Sequence, residues 1–574
     1  MESQSNQSIL QVRDLQVAYR HGGRSACVLN RISFEVRRGE IVALLGESGS
    51  GKSTIARAVS GLLPPSAHVV GGALRIGEAV CGHLAGSRYP WERIRGKEIG
   101  MLFQDAQQAL HPVMKIGEQF AETLRFHRIA ASADQVSSIA IKFLAMLNFP
   151  DPERVLECYP YELSGGMCQR ICLALALCLE PKMLVADEPT SALDTVSQRE
   201  VLDLLKRSQR ELGLSVLLIT HDIAIASAIS DRVLVLHRGQ LVEEGDTNTV
   251  FRSPASDYTR RLLASRPRSA GAPAAPESEP DRDIVLEAIG LEKRYSAQRR
   301  VLHDVNLTIA KGQIVGVLGE SGSGKSTLAK CLVGLETPNE GRIWYRGKDM
   351  GSLRGKEKRQ LARHIQYIFQ DGRASLHPGR TALELVQEPL RYMRIGSRKE
   401  RLETACELLQ EVGISEEAMH RRPPQLSTGQ CQRIAIARAL APRPDLLLCD
   451  EPVSALDMNI QTQMLSLLEQ LQRKFGFSMM VISHDIRVLR SFCHRIAVME
   501  KGTITEIQPA SKLHESNRPY TQLLLACAVE IEEALLSKGE ESHDRQYSGH
   551  HRRDAAGHDS EQQPSERGAS LVEV

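Results

Sequence analysis

The nine residues GESGSGKST occupy positions 46–54 and return letter for letter at 319–327. Each stretch follows a short apolar run, residues 40–45 and 313–318, that reads as a buried strand. Glycines at 46, 49 and 51 let the backbone curl so that its N–H groups converge on phosphate oxygens. Lys52 then reaches the terminal phosphates, and Ser53 offers a hydroxyl to Mg²⁺ at the start of a helix. The candidate phosphate-binding loop is thus Gly46, Glu47, Ser48, Gly49, Ser50, Gly51, Lys52, Ser53 and Thr54. Its repeat is Gly319, Glu320, Ser321, Gly322, Ser323, Gly324, Lys325, Ser326 and Thr327. A second apolar strand, 183–186, delivers Asp187 and Glu188, and 446–449 delivers Asp450 and Glu451. The Asp suits Mg²⁺, and the adjacent Glu can accept a proton from an attacking water, which points to nucleotide hydrolysis. A third strand in each set, 215–219 and 479–482, ends at His221 and His484, each 33 residues past its Glu, where a γ-phosphate sensor would stand.

Because every motif recurs in the same order, the chain reads as two homologous α/β domains, 8–264 and 284–530. Between them, 265–283 holds four prolines and no large apolar residue, a linker reaching on the order of 60 Å. Residues 538–574 are polar and of low complexity, and the expectation for them is disorder. With 72 Lys and Arg against 70 Asp and Glu, the net charge of +2 argues against bulk electrostatic binding to nucleic acid. The longest apolar run, 171–179, is well short of the ~20 residues a membrane helix needs. The N-terminus lacks a secretory pattern, and the twelve cysteines form no CxxC pair.

Leu163-Ser164-Gly165-Gly166-Met167 and Leu426-Ser427-Thr428-Gly429-Gln430 resemble the signature motif of ATP-binding-cassette ATPases, and the segments 191–194 and 454–457 resemble that family's D-loops. The resemblance implies, for each half, a P-loop parallel-sheet core with an antiparallel β subdomain and an α-helical subdomain. It implies ATP and Mg²⁺ as cofactors, with Gln104 and Gln370 as Q-loop residues near Mg²⁺ and Tyr19 and Tyr295 stacking on adenine. Ser53, Gln104 and Asp187, and Ser326, Gln370 and Asp450, would surround the two Mg²⁺ ions. The implied arrangement is head-to-tail. Ser427 and Gly429 then complete the site of Lys52, and Ser164 and Gly166 that of Lys325. The helices after the signatures are expected over 168–179 and 431–440, with signature N–H groups facing an anion. Two residues depart from the family pattern, Met167 in place of Gln and Thr428 in place of Gly. A β-branched residue would distort the loop if positive φ were required there. Both Glu188 and Glu451 are kept, so two hydrolytic sites are expected, of unsettled equality.

The endings of the halves, Asp257-Tyr258-Thr259 and Pro519-Tyr520-Thr521, are similar to those of the dipeptide/oligopeptide/nickel importer branch. That resemblance implies two integral-membrane permease subunits and an extracytoplasmic substrate-binding protein as partners, and no nucleic acid. It places the chain peripherally on the cytoplasmic face of the membrane, with 105–159 and 371–422 touching the permeases. The cargo would be peptides, glutathione-like solutes, nickel or metal chelates. The competing readings are a soluble tandem ATPase acting on ribosomes or DNA, and a sugar-importer tandem. Against the first stand the short Pro/Ala-rich linker and the absence of CxxC pairs; against the second, the intact Lys, Asp, Glu and His of both halves. His543, His550, His551 and His558 could bind Ni²⁺ or Zn²⁺, but a solvated polar tail explains the same residues and is the favoured reading. Cys168 and Cys172 read as core thiols rather than a metal pair.

Overall fold

The computed structural model describes residues 8–21, 24–77, 79–83, 91–191, 193–264, 283–296, 299–454, 456 and 458–533. The interdomain segment up to residue 282, the C-terminal tail with its histidines, and D-loop residues Ala192, Ala455 and Asp457 lie outside the described residues.

In the first half, β1 (Ser8–His21), β2 (Arg24–Arg37), β4 (Ala67–Ile76) and β5 (Ala79–His83) form an antiparallel sheet of order β2-β1-β4-β5. A second sheet combines β3 (Ile41–Leu45), β6 (Ile99–Leu102), β7 (Met183–Asp187), β8 (Ser215–Thr220), β9 (Arg232–His237) and β10 (Gln240–Asp246). Its order is β10-β9-β3-β8-β7-β6, parallel except for β10. The second half repeats both sheets. The antiparallel one contains β11 (Ile284–Ser296), β12 (Arg299–Ala310), β14 (Glu340–Tyr345) and β15 (Lys348–Asp349). The mainly parallel one contains β13 (Ile314–Leu318), β16 (Ile365–Ile368), β17 (Leu446–Asp450), β18 (Ser478–Ser483), β19 (Arg495–Glu500) and β20 (Thr503–Pro509). Their orders, β12-β11-β14-β15 and β16-β17-β18-β13-β19-β20, match those of the first half.

The apolar strands are continuous because the parallel sheet is buried on both faces. Along β3, Ile41, Ala43 and Leu45 join a core shared with the helical region, whereas Val42 and Leu44 join a core shared with the antiparallel sheet. Each strand therefore fastens two layers and carries its C-terminal residues to one common edge. The helical region of the first half includes Ile116–Phe126, Ala133–Met146 and Gly165–Leu177, centred on fully buried Phe120 and Phe143. In the second half, Ala382–Tyr392, Arg398–Glu411 and Thr428–Leu440 take the same places. Capping boxes start several of them. Ser132 Oγ accepts from Gln135 N while Gln135 Oε1 accepts from Ser132 N, and Ser397 and Glu400 do likewise.

The signature helices begin three residues earlier than the apolar pattern predicts, at Gly165 and Thr428. Ser164 and Ser427 are their N-caps, accepting from Met167 N at 3.3 Å and Gln430 N at 3.2 Å. Thr428 is accordingly a first-turn helical residue and not one with positive φ, so its branched side chain strains nothing. Met167 has a different consequence. Gln430 Oε1 accepts from Ser427 N and completes a capping box that a methionine cannot make. Cys168 and Cys172 lie in the core, where burial pushes their thiols up to about 11 and about 12, which keeps them protonated.

Candidate active site

The loop after β3 turns into the helix Lys52–Val59 through Gly51, whose φ of 110° suits only glycine and which offers no side-chain cap to the helix. An uncapped helix N-terminus of this kind is an anion site. Gly46 is needed for a different reason, since a Cβ there would stand 2.3 Å from the Leu236 carbonyl oxygen. Lys52 is buried and donates from Nζ to Gly46 O at 2.8 Å and Glu47 O at 2.9 Å, which aims its charge along the loop. The second loop repeats this, with Gly324 at φ 103° and Lys325 bonded to Gly319 O and Glu320 O at 2.8 and 2.6 Å. Burial lowers the Lys325 ammonium despite the opposing carboxylate of Glu451.

Both loops are braced from behind by residues that sequence reasoning treated only as branch markers. The Tyr258 hydroxyl accepts from Glu47 N at 3.3 Å, and the Tyr520 hydroxyl accepts from Glu320 N at 3.1 Å. The only sequence signal for this is the recurrence of Tyr-Thr after each last strand.

Each acidic pair sits at the end of its strand as expected. Ser53 Oγ donates to Asp187 Oδ1 at 3.3 Å, and Ser326 Oγ to Asp450 Oδ1 at 3.2 Å, so hydroxyl and carboxylate already face one point. Oxygen donors of this type and charge fit Mg²⁺. Burial raises the Asp187 carboxyl, a cost that a bound cation would offset. Glu188 is held from two sides, with Gln104 Nε2 donating to Oε2 at 2.9 Å and His221 Nδ1 3.1 Å from Oε1. Glu451 is held identically by Gln370 at 2.8 Å and His484 at 3.2 Å. Burial would raise both glutamates, yet the neighbouring histidine and lysine prevail and leave each below the usual carboxylate range. For His484 burial disfavours charge, but Glu451 and Asp485 outweigh it and raise its pKa. Both glutamates also have φ of 47°, an uncommon left-handed backbone of the kind found at functional sites.

A cleft of about 970 Å³ opens between the halves, ample for a nucleotide. Tyr19, Ser48, Lys52, Gln104, Glu188 and His221 line it from the first half, and Ser321, Gln370, Glu451 and His484 from the second. Hydrogen bonds among the described residues cross it. Ser321 N donates to Asp194 Oδ2 at 3.3 Å, and Thr195 Oγ1 donates to His484 O at 3.0 Å. The first D-loop therefore reaches the second half's phosphate loop and switch histidine, as a head-to-tail arrangement requires. Other expected residues stand apart from the cleft. Tyr295 is half-exposed, with its hydroxyl donating to the Glu336 carboxylate. Ser164, Gly166, Ser427 and Gly429 are not among the residues lining it.

The ABC transporter family profile matches residues 29–191 and 302–454, the two segments that run from before each phosphate loop through each D-loop serine. This chain belongs to the ABC transporter family. A profile for the oligopeptide/dipeptide transporter C-terminal region matches residues 242–289, which include Tyr258. The glutathione import ATP-binding protein GsiA of Salmonella paratyphi A is 36% identical over 562 residues, covering 91% of this chain and 89% of that protein. The peptidoglycan transport ATP-binding protein YejF of Agrobacterium fabrum is 38% identical over 546 residues, covering 93% and 98%. This ABC protein is thus a fused tandem cassette of the peptide-importer family and an energy-coupling ATPase. The archaeal ribosome recycling factor aABCE1, solved with ribosomal stalk protein aP1, aligns with a TM-score of 0.58 over 90% of this chain and 92% of that one. At 22% identity that likeness shows a shared tandem fold and nothing of function. Cassettes of the family bind ATP, and among the described residues no helix is long and apolar enough to cross a membrane.

Proposed function

We propose that this chain powers import of short peptides or glutathione-like solutes through two separate permease chains, bound peripherally at the cytoplasmic face of the membrane and served by an extracytoplasmic binding protein. Its working units are 8–264 and 284–530, joined by the 265–283 linker, which keeps the effective concentration of the partner half near the millimolar range. The observation that carries the reading is the presence of two complete sets of Lys, Ser, Asp, Glu, Gln and His, with the Glu, Gln and His of both halves lining the space between them.

In each site the loop N–H groups and Lys52 or Lys325 bind and orient the phosphates. Ser53 with Asp187, and Ser326 with Asp450, would hold Mg²⁺, with Gln104 and Gln370 tied nearby through their glutamates. Bound Mg²⁺ supplies charge stabilisation on the phosphate oxygens. Glu188 and Glu451 take the proton from the attacking water, and their depressed pKa values keep them in the anionic, accepting form. His221 and His484 hold those carboxylates in place and would sense the γ-phosphate of bound ATP. Val113, Phe126 and Tyr392, at 72%, 75% and 78% exposed, lie in segments 105–159 and 371–422, the parts assigned to permease docking.

The test is uptake. Cells lacking this chain are expected to lose accumulation of radiolabelled glutathione or of short peptides, and to regain it on expression of the wild-type chain but not of the Glu188→Gln/Glu451→Gln variant. Uptake of both solutes unaffected by the deletion would contradict the assignment of cargo.

A further inference from the structure

Position by position, the second site contains three contacts that the first half cannot reproduce. The first concerns the carboxylate assigned to Mg²⁺. Asp450 accepts from Ser326 on Oδ1 at 3.2 Å and from the Tyr367 hydroxyl on Oδ2 at 2.6 Å, so both its oxygens are held. Tyr367 lies on β16 in register with Leu448 of β17. The matching place on β6, in register with Val185, is Met101, whose thioether has no proton to give Asp187.

The second contact is the hydrogen bond from Thr195 Oγ1 to the carbonyl of His484. Thr195 opens the helix Thr195–Leu212, and the residue opening the corresponding helix Met458–Phe475 is Met458, a residue type without a donor. The third is Arg487. Its Nη2 lies 2.9 Å from Asp485 Oδ2 and 3.6 Å from Asp222 Oδ2 of the other half. Asp222 and Asp485 cap the helices that follow the two switch histidines, with Asp222 bonded to Ala224 N and Asp485 to Arg487 N. One guanidinium therefore joins the two switch segments, and the corresponding first-half residue, Ala224, offers only a methyl group.

All three contacts touch the second site, at the metal-facing carboxylate, the backbone of the switch histidine and the residue after it, and Arg487 lies closer to Asp485 of that site (2.9 Å) than to Asp222 of the other (3.6 Å). Groups already held in place need no reordering as charge develops in the transition state. Outer hydrogen bonds to metal-ligating carboxylates typically matter 10–100-fold in metal affinity or activity. We infer that the two ATP sites are unequal, that the site built on Lys325, Glu451 and His484 carries most of the turnover, and that Tyr367, Thr195 and Arg487 are its positioning residues. The inference rests on the reading of both halves as ATP-hydrolysing and adds which site does most of the work. Two of the three contacts come across the cleft from Thr195 and Asp222. The first half thus serves the second as a structural partner as well as through its own site.

The experiment compares steady-state ATPase rates of the full chain carrying Glu188→Gln or Glu451→Gln alone. The Glu451→Gln rate is expected to fall at least roughly tenfold below the Glu188→Gln rate, within the range a general base supplies. Equal slowing in the two, to whatever level, or the reverse order, would overturn the inference. In the Glu188→Gln background, Tyr367→Phe should raise the Mg²⁺ concentration for half-maximal activity roughly tenfold. Thr195→Val should lower kcat, and Thr195→Ser, which keeps the donor, should restore it. An unchanged Mg²⁺ dependence in Tyr367→Phe, or a Thr195→Ser variant no better than Thr195→Val, would remove that residue from the account. A wild-type chain that hydrolyses no ATP would overturn the ATPase reading itself, an outcome distinct from active but equal sites.

Discussion

The double variant Glu188→Gln/Glu451→Gln is expected to hydrolyse ATP roughly 10²–10⁴ times more slowly than the wild type, a barrier increase of about 3–5 kcal/mol. Glutamine has nearly the same shape as glutamate, and its amide oxygen can still accept from Gln104 or Gln370. What it cannot do is take a proton from water. The phosphate loops, their lysines and the Asp–Ser pairs are untouched, so ATP binding should persist. A steady-state phosphate-release assay beside an equilibrium titration with a fluorescent ATP analogue separates the two quantities. Unchanged turnover in the double variant would mean that the base lies elsewhere. The neighbouring histidine and lysine hold both glutamates below the usual carboxylate range, so each is ionised at neutral pH, while the lower pKa also makes each a weaker base.

Lys52→Ala/Lys325→Ala should fail in the opposite way, at the binding step. Each Nζ is buried and held by two carbonyl oxygens of its own loop, which fixes the direction in which its charge projects. Hydrogen bonds to charged groups contribute about 1.5–3 kcal/mol, so ATP affinity at each site should drop roughly 10–100-fold. Alanine also leaves those carbonyls without their ammonium donor, a further cost to the loop's geometry. The same ATP-analogue titration reads the effect, and wild-type affinity in the double lysine variant would contradict the assigned phosphate contact.

The parts of this site that were legible in the sequence are those whose chemistry demands a residue type at a fixed distance along the chain. Glycines 46, 49 and 51 precede Lys52 because the loop must curl tightly, and Asp187 and Glu188 end an apolar strand because that strand delivers them to the sheet edge. The repeat then doubled every such signal. Less legible were contacts between residues far apart in sequence. Tyr258 braces Glu47 across 211 positions, and Thr195 reaches His484 across 289, so no local pattern announces either. The positive φ of Glu188 and Glu451 was hidden as well, because nothing about the residue type reveals it. The start of the signature helices was misplaced by three residues for a different reason. Their first turn is made of small and polar residues that carry no hydrophobic period, and only the serine caps mark it. Thr428, read as a source of strain if positive φ were required, turned out to occupy ordinary helical backbone.

Coupling to membrane permeases is what separates this ATPase from a soluble tandem cassette. Its most direct test is purification of the tagged full chain from native membranes in mild detergent, with every co-purifying polypeptide identified. Two polytopic membrane proteins in stoichiometric amount are expected. Recovery of the chain from the soluble fraction with ribosomal or DNA-repair proteins, and without any membrane protein, would contradict it.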